Sequence, residues 1–275
     1  MFLEINTPSG ASRIYAYTGG KPLRKDQPTA IFIHGVLCDH SVWAWQSRYL
    51  AHHGWNVLAI DLPGHGRSNG IAPDNVEVAA NTVAVLLDAA ELSQAALIGH
   101  SWGSLIAMEA AAQLKTRISH LVLVGTAFPM KVAPALLDSA MHTPEKAIAM
   151  VNTFSRATLS PPNGAGSWVY GAGMALGKHV LASNTDVNLL HTGFVACDRY
   201  ENGLNAIAQA TAPTLFLLGA QDQMTPPKAA QGLITAARST GRTVEVHTIA
   251  HGHNQMTESP DATLFAIRDF LAKAH

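Results

Sequence analysis

Charge, cysteine and long apolar runs are all scarce in this 275-residue chain. No stretch of 18 or more apolar residues occurs, so a membrane-spanning helix is not expected. Charged residues make up only 13%, with 18 basic side chains against 19 acidic ones and no Lys/Arg-rich block. A nucleic-acid backbone or an anionic membrane surface would call for such a block, so neither is expected as a partner. Cys38 and Cys197 are too few for a disulfide framework or a metal-ligand cluster and are read as free thiols. No His, Asp, Glu or Cys group has metal-ligand spacing, because His251-x-His253 lacks a partner motif; neither metal nor cofactor is expected. The start, "MFLEINTPSGASRIYAY", has no basic segment leading into an apolar stretch and a cleavage site, which points to the cytoplasm. The partner left standing is a small-molecule substrate, bound by a monomer or homodimer.

Apolar residues, by contrast, make up 48%, enough for a large core. They fall into short runs: "TAIFIH" from Thr29, "NVLAID" from Asn56, "AALIGH" from Ala95, "HLVLVG" from His120, "TLFLLG" from Thr214 and "TVEVHTI" from Thr243. Runs apolar on both faces suit buried parallel strands, and the segments between them have helical spacing. "FLEIN" and "RIYAYTG" add an antiparallel pair at the start, which makes an α/β pattern. From residue 128 to 209 the alternation stops. Helices are expected there, one opening at Thr143-Pro144-Glu145 and another near Thr185 or Asp186. The chain therefore divides into a core domain of residues 1–127 and 210–275 and a helical insertion of residues 128–209.

"LIGHSWGSLIAMEAAAQL" poses the chemical question, because Ser101 sits between Gly99 and Gly103 where a strand turns into a helix. This G-x-S-x-G turn strains the serine backbone, lifts its hydroxyl clear of the sheet, and aims the amide of Trp102 at a carbonyl under attack. A serine hydroxyl needs a base, and the base a carboxylate to hold it. "LFLLGAQDQMTPP" offers Asp222; "IAHGHNQMTESP" offers His251 and His253.

These motifs together resemble the α/β-hydrolase superfamily, in the branch of serine esterases, C–C bond hydrolases and perhydrolase-like enzymes. "FIHGVLCDHSVW" resembles its His-Gly oxyanion loop, and "IDLPGHGRS" the loop after the fourth strand. The resemblance implies a mostly parallel eight-stranded sheet flanked by helices, with a helical cap inserted after the sixth strand. It implies Ser101, Asp222 and His253 as the triad, since Gly252-His253 followed by Glu258-Ser259-Pro260 matches the family register and His251 does not. The position after the sixth strand, where some relatives carry the acid, reads Gly125-Thr126-Ala127 and has no carboxylate. The backbone amides of Trp102 and Val36, with Leu37 as alternative, are expected to bind the oxyanion. His34 is read as organising its loop, and Asp61, His65 and Arg67 as shaping theirs.

The expected activity is carboxylic ester hydrolysis through an acyl-enzyme, with small to medium uncharged esters preferred. A C–C hydrolase of ring-cleavage products is the alternative, though such anionic substrates ask for a basic pocket residue. A non-catalytic ligand receptor on the same scaffold would have no need of an intact triad. The insertion is expected to cover the site. Leu37, Phe128, Phe154, Trp168, Met174, Phe194 and Met224 are expected to line the pocket, with "PPNGAG" and Gly171, Gly173 and Gly177 as hinges.

Overall fold

The computed structural model describes residues 1–7, 10–157 and 165–273, the side chains of 165–168 excepted. The chain opens with β1 (Phe2–Thr7) and β2 (Gly10–Tyr17), followed by β3 (Thr29–Ile33), α1 (Ala44–His52), β4 (Asn56–Ile60) and α2 (Val76–Ala89). Then come β5 (Ala95–His100), α3 (Trp102–Leu114) and β6 (Ile118–Val124). Among the described residues, five helices follow without an intervening strand: α4 (Pro134–His142), α5 (Pro144–Phe154), α6 (Ala165–Ala182), α7 (Leu189–Arg199) and α8 (Gly203–Gln209). The chain closes with β7 (Thr214–Gly219), α9 (Gln231–Arg238), β8 (Val244–Ile249), α10 (Gln255–Glu258) and α11 (Pro260–Leu271).

One eight-stranded sheet has the order β1-β2-β4-β3-β5-β6-β7-β8. β1 pairs antiparallel with β2, and β2 with β4; every other neighbour is parallel. All five residues of β3 and all six of β5 are buried, as strands covered on both faces must be. Alternate residues feed two cores. Ile31, Ile33 and Leu97 pack under α2, α3 and α9, while Phe32, Ala96 and Ile98 pack under α1 and α11. From β3 the chain winds one way to β4 and then returns across β3 to β5, so the strand order reverses between β3 and β5. A crevice opens at such a point, beyond the carboxyl ends of the strands.

The segment after β6 has a small core of its own, in which Leu136, Ala140, Ile148, Val180, Leu190 and Phe194 pack with Leu37 from the loop after β3. Its last helix behaves differently: α8 packs against α3 and α9, in the layer flanking the sheet. Arg242 donates to the carbonyls of Ile207 at 2.7 Å and Ala210 at 2.8 Å, meeting groups at the end of α8 that have no intrahelical donor. Glu109 of α3 accepts from Tyr200 Oη at 2.7 Å and Asn202 Nδ2 at 2.9 Å, which pins the base of the insertion to the core.

α5 begins at Pro144, as expected. α7 begins at Leu189, later than the sequence suggests. The Asn184 side chain accepts from the amides of Asp186 and Val187 and closes a turn there, so the capping role falls to Asn188, which accepts from His191 N. Gly171, Gly173 and Gly177, expected as hinges, lie inside the continuous helix α6. The expected loop at Pro161 to Gly166 lies outside the described residues up to 164, and α6 has begun by 165. No helix among the described residues is long and apolar enough to cross a membrane.

Candidate active site

Ser101 stands between β5 and α3 with φ 54° and ψ −120°, a conformation costing roughly 1–3 kcal/mol in a non-glycine residue. Its surroundings enforce it. Ser101 N donates to Val124 O at 2.9 Å, and Ser104 N donates back to Ser101 O at 2.8 Å. A Cβ on Gly99 would collide with the carbonyl of Gly103, and a Cβ on Gly103 with the carbonyls of Ile33 and His34. Both glycines are therefore required by close backbone approach, whatever their φ. Gly103→Ala is expected to cost about 1–3 kcal/mol of stability, the usual size of an overpacking penalty, read as a lower urea or thermal midpoint.

The loop after β3 comes against this elbow: a Cβ on Gly35 would lie 3.3 Å from Ser101 Cβ and 3.0 Å from His100 Nδ1. Val36 and Leu37 follow at once, Leu37 with φ 53°. The other amide expected at the oxyanion, that of Trp102, is the first of α3, so no carbonyl of its own helix can meet it. It also stands at the positive end of the helix dipole. His34 fixes the loop from below. Its Nδ1–H donates to Gly35 O at 2.8 Å and its Nε2 accepts from Leu62 N at 3.1 Å, so both ring nitrogens are committed. Burial lowers its pKa, which suits a neutral structural ring.

Asp222 lies just beyond β7, 4% exposed. Its Oδ1 accepts from the amides of Met224 and Thr225, each at 2.8 Å, and its Oδ2 from Thr225 Oγ1 at 2.7 Å and His253 Nδ1 at 2.8 Å. Burial alone would push this carboxyl up; the adjacent His253 and these donors outweigh it and hold the pKa below the usual range. Thr225 Oγ1 also lies 2.9 Å from Gly125 O and 3.0 Å from His253 Nδ1. The carboxylate thus fixes Nδ1 as the protonated nitrogen of His253 and leaves the lone pair on Nε2. Gly125, at φ 55°, makes room: a Cβ there would stand 3.1 Å from His253 Nδ1. His100 packs on the far side with ring centroids 4.6 Å apart, and its Nε2–H donates to His253 O at 3.1 Å. Burial first, and the neighbouring His253 second, lower the His100 pKa to about 3, so this ring is neutral.

Ser101 and His253 open into one cavity of about 480 Å³ beneath the insertion. Of the residues expected in its wall, Leu37, Phe194 and Met224 are there. Phe128 is not; it stacks edge-on against Tyr200, 5.9 Å away, and a Cβ on Gly203 would run into its ring. Phe154 is 45% exposed at the end of α5, outside the wall. Met174 packs within the insertion's own core, with its sulfur 3.7 Å from Asn152 Nδ2. The side chain of Trp168 lies outside the described residues. In place of these, Ile148, Val151, Asn152 and Leu176 line the cavity, together with Gly173 and Gly177 one helical turn apart. A Cβ on Gly173 would strike Asn152 Oδ1, so these glycines let α5 and α6 approach each other.

His251, the other histidine of its loop, is not among the cavity-lining residues; its carbonyl accepts from Gln221 N at 3.0 Å. Sequence spacing missed one cluster: Asp39, His40 and Asp61 bring potential ligand atoms within 4.8 Å of one another. These atoms are already engaged. Asp61 Oδ1 accepts from His40 N and Nδ1, Asp61 Oδ2 from Arg67 N, and Asp39 Oδ1 from Ser41 N. The trio braces the loop after β4.

A family model described as alpha/beta hydrolase fold matches residues 28–176, more than half of the chain. A protein named putative esterase/lipase 2 from Mycoplasma pneumoniae is 27% identical over 226 residues, 76% of each chain. Lipase LipV of Mycobacterium tuberculosis is 33% identical over 139 residues, but the match spans only 47% of this chain and 52% of that one. Among solved structures, an enol-lactonase from Burkholderia xenovorans superposes with a TM-score of 0.82 over 98% of this chain and 100% of its own, at 20% identity, a likeness of fold.

Proposed function

The chain belongs to the alpha/beta hydrolase fold family, and from that premise we propose that it is a serine hydrolase cleaving small to medium uncharged carboxylic esters. Ser101 Oγ attacks the ester carbonyl and passes its proton to His253 Nε2, while Asp222 holds Nδ1–H and steadies the imidazolium. The amides of Val36 and Trp102 stabilise the oxyanion. His253 returns the proton to the departing alcohol, then activates the water that releases the acid.

The observation that carries this reading is the buried Asp222–His253 contact of 2.8 Å, which sits behind a histidine that lines the same cavity as the strained Ser101. The substrate class rests on the wall. It is mainly aliphatic, its size falls in the range that suits a small ligand, and the one charged side chain among the described lining residues is the carboxylate of Glu258. A carboxylated ring-cleavage product would enter such a cavity without a cation to receive it, so ester cleavage is favoured over C–C cleavage. The relatives named esterase/lipase and lipase support the same choice.

The test is a series of p-nitrophenyl esters of graded acyl length beside a ring-cleavage product, with and without chelator. Short and medium esters should turn over, chelator should leave the rate unchanged, and a fluorophosphonate should add to Ser101. Turnover of the ring-cleavage product alone would overturn the substrate assignment, and zinc-dependent activity the mechanism.

Specificity should follow the wall. Phe194→Ala is expected to shift the kcat/KM ratio of long over short esters by roughly tenfold or more. Phe154→Ala, outside the wall, should leave that ratio where it was. Equal shifts in both variants would mean the cavity does not set chain length.

A further inference from the structure

The loop that carries His253 is fastened to the insertion as well as to the sheet. Where α5 ends, residues 155–157 run alongside residues 252–254. His253 N donates to Ser155 O at 2.7 Å, and Asn254 N reaches the same carbonyl at 3.4 Å. The return connection is a side chain. Glu258 Oε2 accepts from Ala157 N at 2.9 Å and from Gly252 N at 3.3 Å, so one carboxylate oxygen bridges the insertion and the residue before the base. The approach is close enough to dictate sequence. A Cβ on Gly252 would collide with Ser155 O and Ala157 N on one side, and Gly219 of β7 comes against the carbonyl of Gly252 on the other. Gly252 is thus wedged between the sheet and the insertion, which explains a glycine there without any appeal to φ.

We propose that Glu258 is a positioning residue: it straps residues 155–157 of the insertion to the His253 loop, so that the base is aligned with Ser101 only while the insertion is seated over the cavity. This rests on the serine-hydrolase reading. It adds a coupling between substrate enclosure and histidine alignment that Asp222 alone does not supply. Asp222 fixes the ring nitrogen, while the strap fixes the backbone that bears the ring. Two atoms at the strap, Ser155 Oγ and Glu258 Oε1, are buried without a hydrogen-bond partner among the described residues. Unmet polar groups of this kind make a closed state costly, and opening to water would relieve them. A join of that sort is suited to release.

Ester kinetics and amide hydrogen exchange on Glu258→Ala, Glu258→Gln and Ala157→Pro, beside wild type, test the strap. Glu258→Ala removes the acceptor, and kcat is expected to fall about 100-fold, the scale of a misplaced catalytic group. The amides of Ala157 and Gly252 should lose protection together. Glu258→Gln keeps a carbonyl oxygen for both amides and should recover kcat to within a few-fold. Ala157→Pro removes the donor from the insertion side and puts a ring carbon where its proton pointed, against the Glu258 carboxylate. It breaks the strap with Glu258 still present and should reproduce most of the loss even if Glu258→Ala fails to fold. An unimpaired Ala157→Pro, or a Glu258→Gln as damaged as Glu258→Ala, would overturn the strap while the hydrolase reading stands. A wild type that cleaves no ester and takes no fluorophosphonate at Ser101 would overturn the hydrolase reading itself, which the variants are not needed to show.

Discussion

Ser101→Ala is expected to lower ester turnover by about 10⁴- to 10⁶-fold, and His253→Ala by a similar factor, because nucleophile and base act as one unit. The double variant should cost little more than either single one. Asp222→Asn is the more informative change. The carboxylate oxygens accept from the amides of Met224 and Thr225, from Thr225 Oγ1 and from His253 Nδ1, so every position around this group demands an acceptor. An amide would place an NH₂ against one of these donors. If it faces His253, the ring must turn its protonated nitrogen toward Ser101 and cease to be a base. A loss of about 10⁴ in kcat is expected from such a tautomer error, with little change in KM. His251→Ala should keep most activity, since that residue lies outside the cavity wall. Steady-state kinetics on one short ester, with the fluorophosphonate adduct located by mass spectrometry, decides the matter. An inactive His251→Ala beside an active His253→Ala would mean that the register taken from Gly252-His253 is wrong.

The parts of this arrangement legible in the sequence are those set by local backbone rules. β3 and β5 announce themselves as apolar runs without alternation, because both faces are covered, and each appears within a residue of its expected place. Gly99 and Gly103 mark the elbow because only glycine fits so near the carbonyls of Gly103 and Ile33. The wall of the cavity was less legible, for a physical reason. Phe128, Phe154, Met174 and Phe194 look alike in sequence, each an apolar residue in a helical insertion, but which face of each helix meets the cavity depends on how α4 to α7 pack on one another. Phe194 faces in; Phe154 at the end of α5 faces water. The late start of α7 has a local cause, since Asn184 accepts from the amides of Asp186 and Val187 in a turn before the helix, and Asn188 caps the helix by accepting from His191 N. Glu258 was visible only as a register mark. Its bridge to Ala157 joins residues 101 positions apart, a contact that no local pattern encodes.

Acid should unfold this protein well before its carboxylates titrate. Burial is the leading cause in lowering the pKa of His65 and His100 to about 3, and it lowers that of His34 as well. All three rings are packed neutral: His34 donates to Gly35 O, His65 lies 3.0 Å from Pro63 O through Nδ1, and His100 holds the carbonyl of His253. In the unfolded chain they would protonate near 6.5, the ordinary value. Below that pH the unfolded state binds protons the native state refuses, so stability falls as pH falls, by about 1.4 kcal/mol per pH unit for each ring held near 3. His65 and His100 together give a slope of about 3 kcal/mol per unit, and His34 adds in the same direction, against a total stability on the order of 5–15 kcal/mol for a typical domain. Asp222 and Asp61 act in the same sense but later. In both, burial is outweighed by the adjacent histidine and by amide donors, so the folded pKa lies below the ordinary 3.8. Their contribution is fully present above that value and is lost only as pH drops through the folded pKa. The limb between pH 6.5 and 4 therefore belongs to the histidines. Urea unfolding at pH 7.5, 6.5, 5.5 and 4.5 should show a midpoint that holds above 6.5 and drops steeply beneath it. His65→Gln, which removes one ring from the loop after β4, should flatten that limb by about a third to a half. A wild-type midpoint that stays level down to pH 5 would mean these rings are hydrated or charged in the native state, and the neutral packing assigned to them would be wrong.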